Sequence, residues 1–251
     1  MRLRNESAGP PALDTTLSAL QQGRPIMVYD GDEREGETDL FVPAQNATPE
    51  AVRQLRDDAG GLVFVAIGPD VRQALGLPFL HDVYRDASDE HPVLGELVPG
   101  SLPYDARSSF SITLNHRDTF TGITDRDRAK TIQGIGRLAS LEPCLQGATL
   151  RDRFVEEFRT PGHVHVCAAA EGLLDTRTGH TEMAAALARL AGIPEALVGA
   201  EILDGDDAMS PQRARQRAEA RGIAFVDRAD IQEGWQADAN RALHQAPAKG
   251  T

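Results

Sequence analysis

The stretch Ile26-Met-Val-Tyr-Asp-Gly-Asp-Glu-Arg-Glu-Gly-Glu-Thr-Asp-Leu-Phe-Val42 places an acidic loop between two apolar runs. Six of the ten residues from 30 to 39 are carboxylates, which repel one another unless a cation, a basic partner or water relieves the charge. Residues 26–29 and 40–42 are typical of buried strands, so both ends of the loop would be anchored to a core. The pattern predicts either a functional cation-binding loop or a solvated acidic turn.

Composition, charge and motifs exclude several classes of protein. The chain has 251 residues and a net charge of −12, which argues against a nucleic-acid partner because such partners bind basic faces. No apolar run reaches the roughly 18 residues that span a bilayer, and the N-terminus lacks an apolar signal segment. An EF-hand starting at Asp30 is excluded, because its sixth and twelfth positions would be Glu35 and Phe41 instead of glycine and an acid. We therefore expect a cytoplasmic protein with no nucleic-acid and no membrane partner.

Strand and helix patterns alternate along the chain. The strand candidates are residues 26–29, 40–44, 62–67, 110–115, 164–169, 198–203 and 223–227. The helix candidates, marked by N-caps, prolines and terminal glycines, are residues 48–60, 124–139, 183–191 and 210–220. Residues 82–107 lack periodicity and are expected to form a long loop or lid, and residues 246–251 a disordered tail. We expect one domain over residues 1–251, built around a mixed sheet.

A second dense segment, Arg177-Thr-Gly-His-Thr-Glu182, stands at the head of a predicted helix. Free backbone N–H groups, hydroxyls and the helix dipole favour an anion there, and the Arg177 guanidinium can grip a phosphate. His180 in the same turn is a candidate metal ligand. The alternative is an ordinary helix cap, with Thr178 or Thr181 as the N-cap residue.

Two further segments leave alternatives open. In Thr160-Pro-Gly-His-Val-His165, the Pro-Gly pair predicts a turn before a strand, with His163 at the start of that strand. His163 and His165 share side-chain parity, so either is a candidate acid–base group and either could be a structural histidine. The segment Thr121-Gly-Ile-Thr-Asp-Arg-Asp-Arg128 is either a second anion contact or helix-capping chemistry with i,i+3 charge pairs.

Six segments, in their order and spacing, resemble the 3,4-dihydroxy-2-butanone 4-phosphate synthase family, and its archaeal single-function form in particular. They are residues 32–39, 58–62, 121–128, 161–163, 177–182 and 201–204. The resemblance covers about residues 13–230. It implies an α+β fold, a three-layer α/β/α domain with a mixed twisted sheet, and a homodimer with active sites near the interface.

The resemblance also implies a reaction and a cofactor. The family converts D-ribulose 5-phosphate into L-3,4-dihydroxy-2-butanone 4-phosphate and formate, a lyase step of riboflavin biosynthesis, with Mg²⁺, for which Mn²⁺ can substitute. Two other functions remain open at this point. One is a Mg²⁺-dependent sugar-phosphate isomerase or aldolase-like enzyme, and the other is a non-catalytic relative that binds a cation or a phosphate.

Site residues follow from the resemblance, position by position. Glu35 and His180 match metal-binding positions, whereas His163 and Glu201 match positions essential for catalysis. Glu37 is expected to help hold the metal or to act as the general base, whose identity stays open. The positions that match substrate contacts are Arg34, Glu35, Asp39, Arg177, Thr178, Gly179, His180, Thr181 and Glu201.

Overall fold

The computed structural model describes residues 10–98, 100, 105, 107–145 and 148–245. The strands are β1 (Ile26–Tyr29), β2 (Thr38–Pro43), β3 (Phe64–Ile67), β4 (Phe110–His116), β5 (Phe158–Ala168), β6 (Ala196–Glu201), β7 (Leu203–Asp204), β8 (Asp207–Ala208) and β9 (Ala224–Asp227). Seven of them form one sheet in the order β4-β5-β3-β6-β2-β1-β9, and β7 pairs with β8. The pairs β1–β9 and β3–β5 are parallel and the other pairs are antiparallel, so the mixed sheet expected from the sequence is confirmed.

Helices cover both faces of this sheet. They are α1 (Pro11–Gln21), α2 (Pro49–Gln54), α3 (Pro69–Leu75), α4 (Leu80–Asp86), α5 (Pro92–Leu97), α6 (Asp125–Leu141), α7 (Ala148–Glu157), α8 (His180–Ala191), α9 (Pro211–Arg221) and α10 (Arg228–Gln245). The expectation of a long loop over residues 82–107 is wrong in part, because α5 and the end of α4 fall within it. Residues 246–251 lie outside the described residues. Among the described residues, no helix combines the length and the apolar character needed to cross a membrane.

Side chains that alternate between the two faces of the sheet divide the hydrophobic core into two clusters. Met27 and Leu40 pack into one hydrophobic cluster with α2, α3, α6, α7 and α9. Ile26 and Phe41 pack into the other cluster with α1, α8 and α10. Successive residues of a strand face opposite sides of a sheet, so the acidic loop enters and leaves the sheet with both flanks buried. The two clusters confirm the three-layer α+β arrangement.

The strand β5 differs from its sequence prediction. The Pro-Gly pair predicts a turn before the strand, but β5 runs through it, from Phe158 to Ala168. Leu114 of β4 pairs with Val164, whereas its neighbour Asn115 pairs with Arg159, so residues 160–163 form a bulge. A proline fits a bulge because it lacks the N–H that a regular ladder requires. His163 therefore lies within the strand and not at its start.

Candidate active site

A cavity of about 520 Å³ opens where the acidic loop meets the ends of the interior strands of the sheet. It is lined by the loop, by the ends of strands β2, β3, β5 and β6, by residues 108–110 and by the first turn of α8. The lining residues are Arg34, Glu35, Glu37, Asp39, Phe64, Ser108, Ser109, Phe110, Cys167, Arg177, His180, Thr181 and Glu201. The structure thus brings together eight of the site residues expected from the sequence, with Thr178 and Gly179 joining Arg177 to the helix.

Asp30 organises the acidic loop from within. Its side chain is fully buried, and its two carboxylate oxygens accept the backbone N–H groups of Glu35 at 3.1 Å and Glu37 at 2.9 Å. Arg34 Nη1 lies 3.2 Å from the same carboxylate. Hydrogen bonds from several N–H groups offset the cost of burying the charge. Asp32, Glu33 and Glu35 are the exposed acids of the loop, but Glu35 lines the cavity, so the solvated-turn alternative fits only Asp32 and Glu33.

The head of α8 has no side-chain cap and remains a candidate anion site. The helix begins at His180, three residues before its predicted start, and Gly179 is the N-cap residue. Among the described residues, no side chain caps this end, so the alternative with Thr178 or Thr181 as the N-cap is wrong. The first N–H groups of the helix therefore remain available to an anion.

Glycine at position 179 allows two guanidinium groups to meet at this helix head. A Cβ atom there would overlap Nη1 of Arg177 and would lie 2.9 Å from Nη2 of Arg34. Any side chain would therefore displace both groups. Two guanidiniums beside an uncapped helix N-terminus suit a phosphate, which accepts several charge-assisted hydrogen bonds at once.

Arg177 is held between two carboxylates. Its Nη1 contacts Glu182, whose side chain is fully buried and also accepts the backbone N–H of Ala170 at 2.9 Å. Its Nε lies 2.5 Å from Oδ2 of Asp105, and the same oxygen lies 2.9 Å from Nη2 of Arg34. Asp105 therefore bridges the two guanidiniums, both of which belong to residues that line the cavity.

A cluster of candidate metal ligands lies beside the two arginines. Nδ1 of His180 is 3.5 Å from Oε2 of Glu35, and Nε2 of His180 is 3.6 Å from Oδ1 of Asp39. Among the described residues, neither His180 Nε2 nor Asp39 Oδ1 has a hydrogen-bond partner. Ligand atoms of Asp30, Glu35 and His180 all lie within 4.8 Å of one another. Carboxylate oxygens with one imidazole fit a hard divalent cation, and a cation would satisfy the orphaned buried atoms.

The pKa values of the buried Asp39 carboxyl group and the buried His180 imidazole are both raised. Burial raises the pKa of Asp39 to about 8, although the neighbouring His180 opposes the change. Burial alone would lower the pKa of His180, but the charge of Asp39 and the Glu35 carboxylate outweigh it and raise that pKa to about 9. Perturbed pairs of this kind are typical of functional sites.

Glu37 and Glu201 are the other carboxylates of the cavity. Burial, with the charges of Glu35 and Glu201, raises the pKa of Glu37, which favours a carboxyl group that can carry a proton. Oε2 of Glu201 accepts the backbone N–H of Leu62 at 2.7 Å. A Cβ on Gly61 would overlap that same oxygen, so the glycine pair that ends the preceding helix also makes room for Glu201.

Neither candidate histidine of β5 lies at this cavity. His163 is exposed, and it is four residues, roughly 13 Å at strand spacing, from Cys167 in the cavity wall. The backbone N–H of His163 donates to Asn115 Oδ1 at 2.9 Å. His165 is half-buried and packs at 6.1 Å from the ring of Phe110. The structure therefore does not bring His163 together with the other expected catalytic residues within one chain.

The segment 121–128 contains capping chemistry. Thr124 is the N-cap of α6 and accepts the N–H of Asp127 at 3.1 Å. Asp125 pairs with Arg128 and with Arg56. None of these side chains is among the residues described as lining the cavity, so the observed contacts favour the capping alternative over a second anion contact.

Several cavity residues escape sequence reasoning. Cys167 has the form of a small core residue, and it is buried, but it also lines the cavity. Ser109 lies beside the helix head, where its hydroxyl is 3.0 Å from that of Thr181. The adjacent serines 108 and 109 before a strand were the only local signal. Asp105 reaches the site from a segment without periodicity, so no pattern pointed to it.

Comparison with known proteins identifies the family to which the chain belongs. Residues 14–233 match the family model described as 3,4-dihydroxy-2-butanone 4-phosphate synthase. The chain belongs to the 3,4-dihydroxy-2-butanone 4-phosphate synthase family. The synthase of Methanosarcina mazei is 47% identical over 227 residues, 89% of this chain and 90% of that protein. The synthase of Archaeoglobus fulgidus is 43% identical, over 88% of this chain and 93% of that protein.

Solved synthases share the fold. The 3,4-dihydroxy-2-butanone 4-phosphate synthase of Candida albicans aligns with a TM-score of 0.66 and 26% identity, over 90% of this chain and 98% of that chain. A synthase solved in complex with two magnesium ions aligns with a TM-score of 0.67 at 23% identity, over 88% of this chain and 95% of that chain. The family, the enzyme class and the fold expected from the sequence are confirmed.

Proposed function

We propose that this cavity carries out the synthase reaction on D-ribulose 5-phosphate, releasing L-3,4-dihydroxy-2-butanone 4-phosphate and formate. The observation that carries the proposal is the position of two arginines at an uncapped helix head, directly beside a carboxylate–imidazole cluster. The first part suits a phosphate, and the second suits a divalent cation. A sugar phosphate needs both in one cavity for a metal-assisted rearrangement.

Glu35 and His180 would hold the cation, with Mg²⁺ as the expected ion and Mn²⁺ as a substitute. Bound there, the cation would polarise a substrate carbonyl and lower the cost of negative charge on its oxygen. Asp30 lies close enough to contribute, but its carboxylate already accepts two N–H groups of the loop. A synthase with this fold has been solved with two magnesium ions, which supports a cation at this cavity.

Substrate binding would divide between the two sides of the cavity. Arg177, Arg34 and the helix head from Gly179 to Thr181, preceded by Thr178, would bind the phosphate. Asp39 and Glu201 would accept hydrogen bonds from the sugar hydroxyls; they are paired residues of neighbouring strands, so they present carboxylates side by side. Binding both ends of the substrate would hold its reacting atoms in a fixed orientation relative to the catalytic groups.

Proton transfer would fall to Glu37 and Glu201. Burial raises the pKa of Glu37 above its ordinary value, which favours a role for this carboxyl group in proton transfer. Glu201 keeps one oxygen, Oε2, on the N–H of Leu62, which leaves the other to face the substrate.

His163 fits the reaction only in a homodimer. It is exposed on β5, and Asn115, which binds it, also donates to the backbone oxygen of Thr121. The same loop presents Phe120, which is 94% exposed, and Ile123, which is 51% exposed. Apolar side chains beside an exposed histidine suit an interface, so we infer that a second copy covers this surface and receives His163 at its own cavity.

The rest of the proposal concerns the whole chain. Residues 13–230 would form one catalytic unit, because both hydrophobic clusters flank the same sheet, and the protein would work in the cytoplasm. The test is an assay of formate and of 3,4-dihydroxy-2-butanone 4-phosphate from D-ribulose 5-phosphate with Mg²⁺. Turnover without formate would indicate an isomerase or aldolase-like enzyme, and binding without turnover would indicate a non-catalytic relative.

A further inference from the structure

We propose that, in the absence of ligand, the carboxylate of Asp105 occupies the phosphate position between Arg34 and Arg177, and that the substrate phosphate must displace it. The inference rests on the proposed function, because it assumes that the substrate phosphate binds these two arginines. It adds a competitor that the substrate must displace.

The geometry of the bridge is the first support. One oxygen of Asp105 lies 2.9 Å from Nη2 of Arg34 and 2.5 Å from Nε of Arg177. A single oxygen shared by two guanidiniums is the arrangement expected of a phosphate oxygen. Among the described residues, Arg177 Nε has no partner with hydrogen-bond geometry, so its contact with Asp105 is an ion pair without the directional bond that a better-placed oxygen would make.

The second support is the contrast between the two carboxylates on Arg177. Glu182 is fully buried and is also tied to the N–H of Ala170, so it cannot leave without exposing an unpaired buried group. Asp105 has a side chain that is 13% exposed, and it contacts two arginines that line the cavity. A ligand entering the cavity can therefore replace Asp105, while Glu182 keeps Arg177 in place.

Charge balance is the third support. Nη1 of Arg34 faces Asp30 and Glu35, at 3.2 and 2.8 Å, whereas its Nη2 faces Asp105. Without Asp105, two guanidiniums and a helix N-terminus would converge with one negative charge fewer between them, which is unfavourable at short range. The carboxylate supplies one negative charge in the absence of ligand.

Competition with this carboxylate sets the apparent affinity for phosphate. A phosphate monoester brings close to two negative charges and three acceptor oxygens, so it outcompetes one carboxylate for the same donors. A neutral sugar such as ribulose brings no charge and leaves Asp105 where it is. Asp105 would thus lower the affinity for phosphorylated sugars and leave the affinity for unphosphorylated sugars unchanged.

The test compares Asp105→Asn with Asp82→Asn in the full chain with Mg²⁺. Both changes remove one negative charge, but Asp82 pairs with Arg107 and Arg85, away from the cavity arginines. Calorimetric titration with inorganic phosphate should show about tenfold tighter binding to the Asp105→Asn protein, and unchanged binding to the Asp82→Asn protein. Binding of unphosphorylated ribulose should be the same in the Asp105→Asn protein and in the parent, because ribulose does not displace the carboxylate.

Weaker or unchanged phosphate binding by Asp105→Asn would overturn the inference, since Asp105 would then position the arginines and not compete for them. Arg177→Met and Arg34→Gln separate this result from failure of the proposed function. If either variant loses phosphate binding while remaining folded by circular dichroism, the arginines bind phosphate and only the role of Asp105 is wrong. If both bind phosphate as the parent does, the phosphate site and the inference fail together.

Discussion

Nδ1 of His180 lies 3.5 Å from Oε2 of Glu35, so the first residue of α8 and the middle of the acidic loop meet at one corner of the cavity. Two distant parts of the chain supply one candidate ligand each. The corner forms only when the loop is folded by Asp30 and the helix is docked on the sheet. Cation binding therefore depends on the tertiary structure.

Metal binding should require both residues. Glu35→Gln and His180→Ala should each weaken Mg²⁺ binding by about 100-fold or more, because each removes a ligand of the cation, and EDTA should abolish turnover of the parent. Calorimetry with Mg²⁺ measures the first effect. Glu33→Gln is the matched control, since Glu33 is in the same loop but pairs with Arg228 outside the cavity. Near-parental Mg²⁺ affinity in both variants would refute the ligand assignment.

Phosphate binding and proton transfer should separate kinetically. Arg177→Met should mainly raise KM, because the guanidinium binds the phosphate in ground state and transition state alike. Glu201→Gln should lower kcat by about 10²–10⁴-fold with a smaller effect on KM, which is the scale of an acid–base group. Steady-state formate release measures both. A Glu201→Gln protein that turns over at the parental rate would remove Glu201 from the chemistry.

Mixed dimers should regain activity that each parent lacks. His163→Asn and Glu201→Gln homodimers should both be nearly inactive. If His163 acts in the cavity of the second copy, co-refolded mixtures should contain one intact site per heterodimer and recover about a quarter of the parental activity. Sedimentation should show the dimer. Recovery at the level of the separate homodimers would place His163 and Glu201 in one chain's site or in no common site.

Acid should destabilise the protein partly through His165. Burial lowers the pKa of this imidazole below its ordinary 6.5, so around pH 6 the folded state binds fewer protons than the unfolded state. Above pH 6.5, the neutral His165 makes its full contribution to the free energy of unfolding. This contribution decreases as the pH falls below 6.5, because the unfolded state binds the proton more readily. Urea unfolding between pH 7.5 and 5 should show a shallower decrease for His165→Gln. An identical slope in both proteins would contradict this linkage.

The sequence was most informative where apolar runs end sharply. The strand predicted at residues 26–29 matches β1 residue for residue, because Asp30 stops the apolar run and begins the loop. The helix predicted from residue 183 begins instead at His180. Its first turn holds polar residues that face the cavity, so the apolar periodicity that marks a helix starts one turn late.

Other features depend on contacts that no local pattern contains. The bulge in β5 is defined by its register with β4, and Pro161 in it mimics a turn when only the sequence is read. Asp105 acquires its position from Arg34 and Arg177, neither of which is near it in the chain. The local segments of the site could be predicted, whereas their mutual distances are properties of the sheet order.

The side chain of Asp39 is 1% exposed, and its Oδ1 has no hydrogen-bond partner among the described residues. A polar atom without a partner at that depth opposes folding, whereas an aliphatic group of similar size would not. Screening variants of this protein for heat resistance alone should therefore enrich replacements of Asp39 early. The selected variants would keep the fold and lose turnover. A search for a more heat-resistant enzyme must therefore measure activity together with melting temperature.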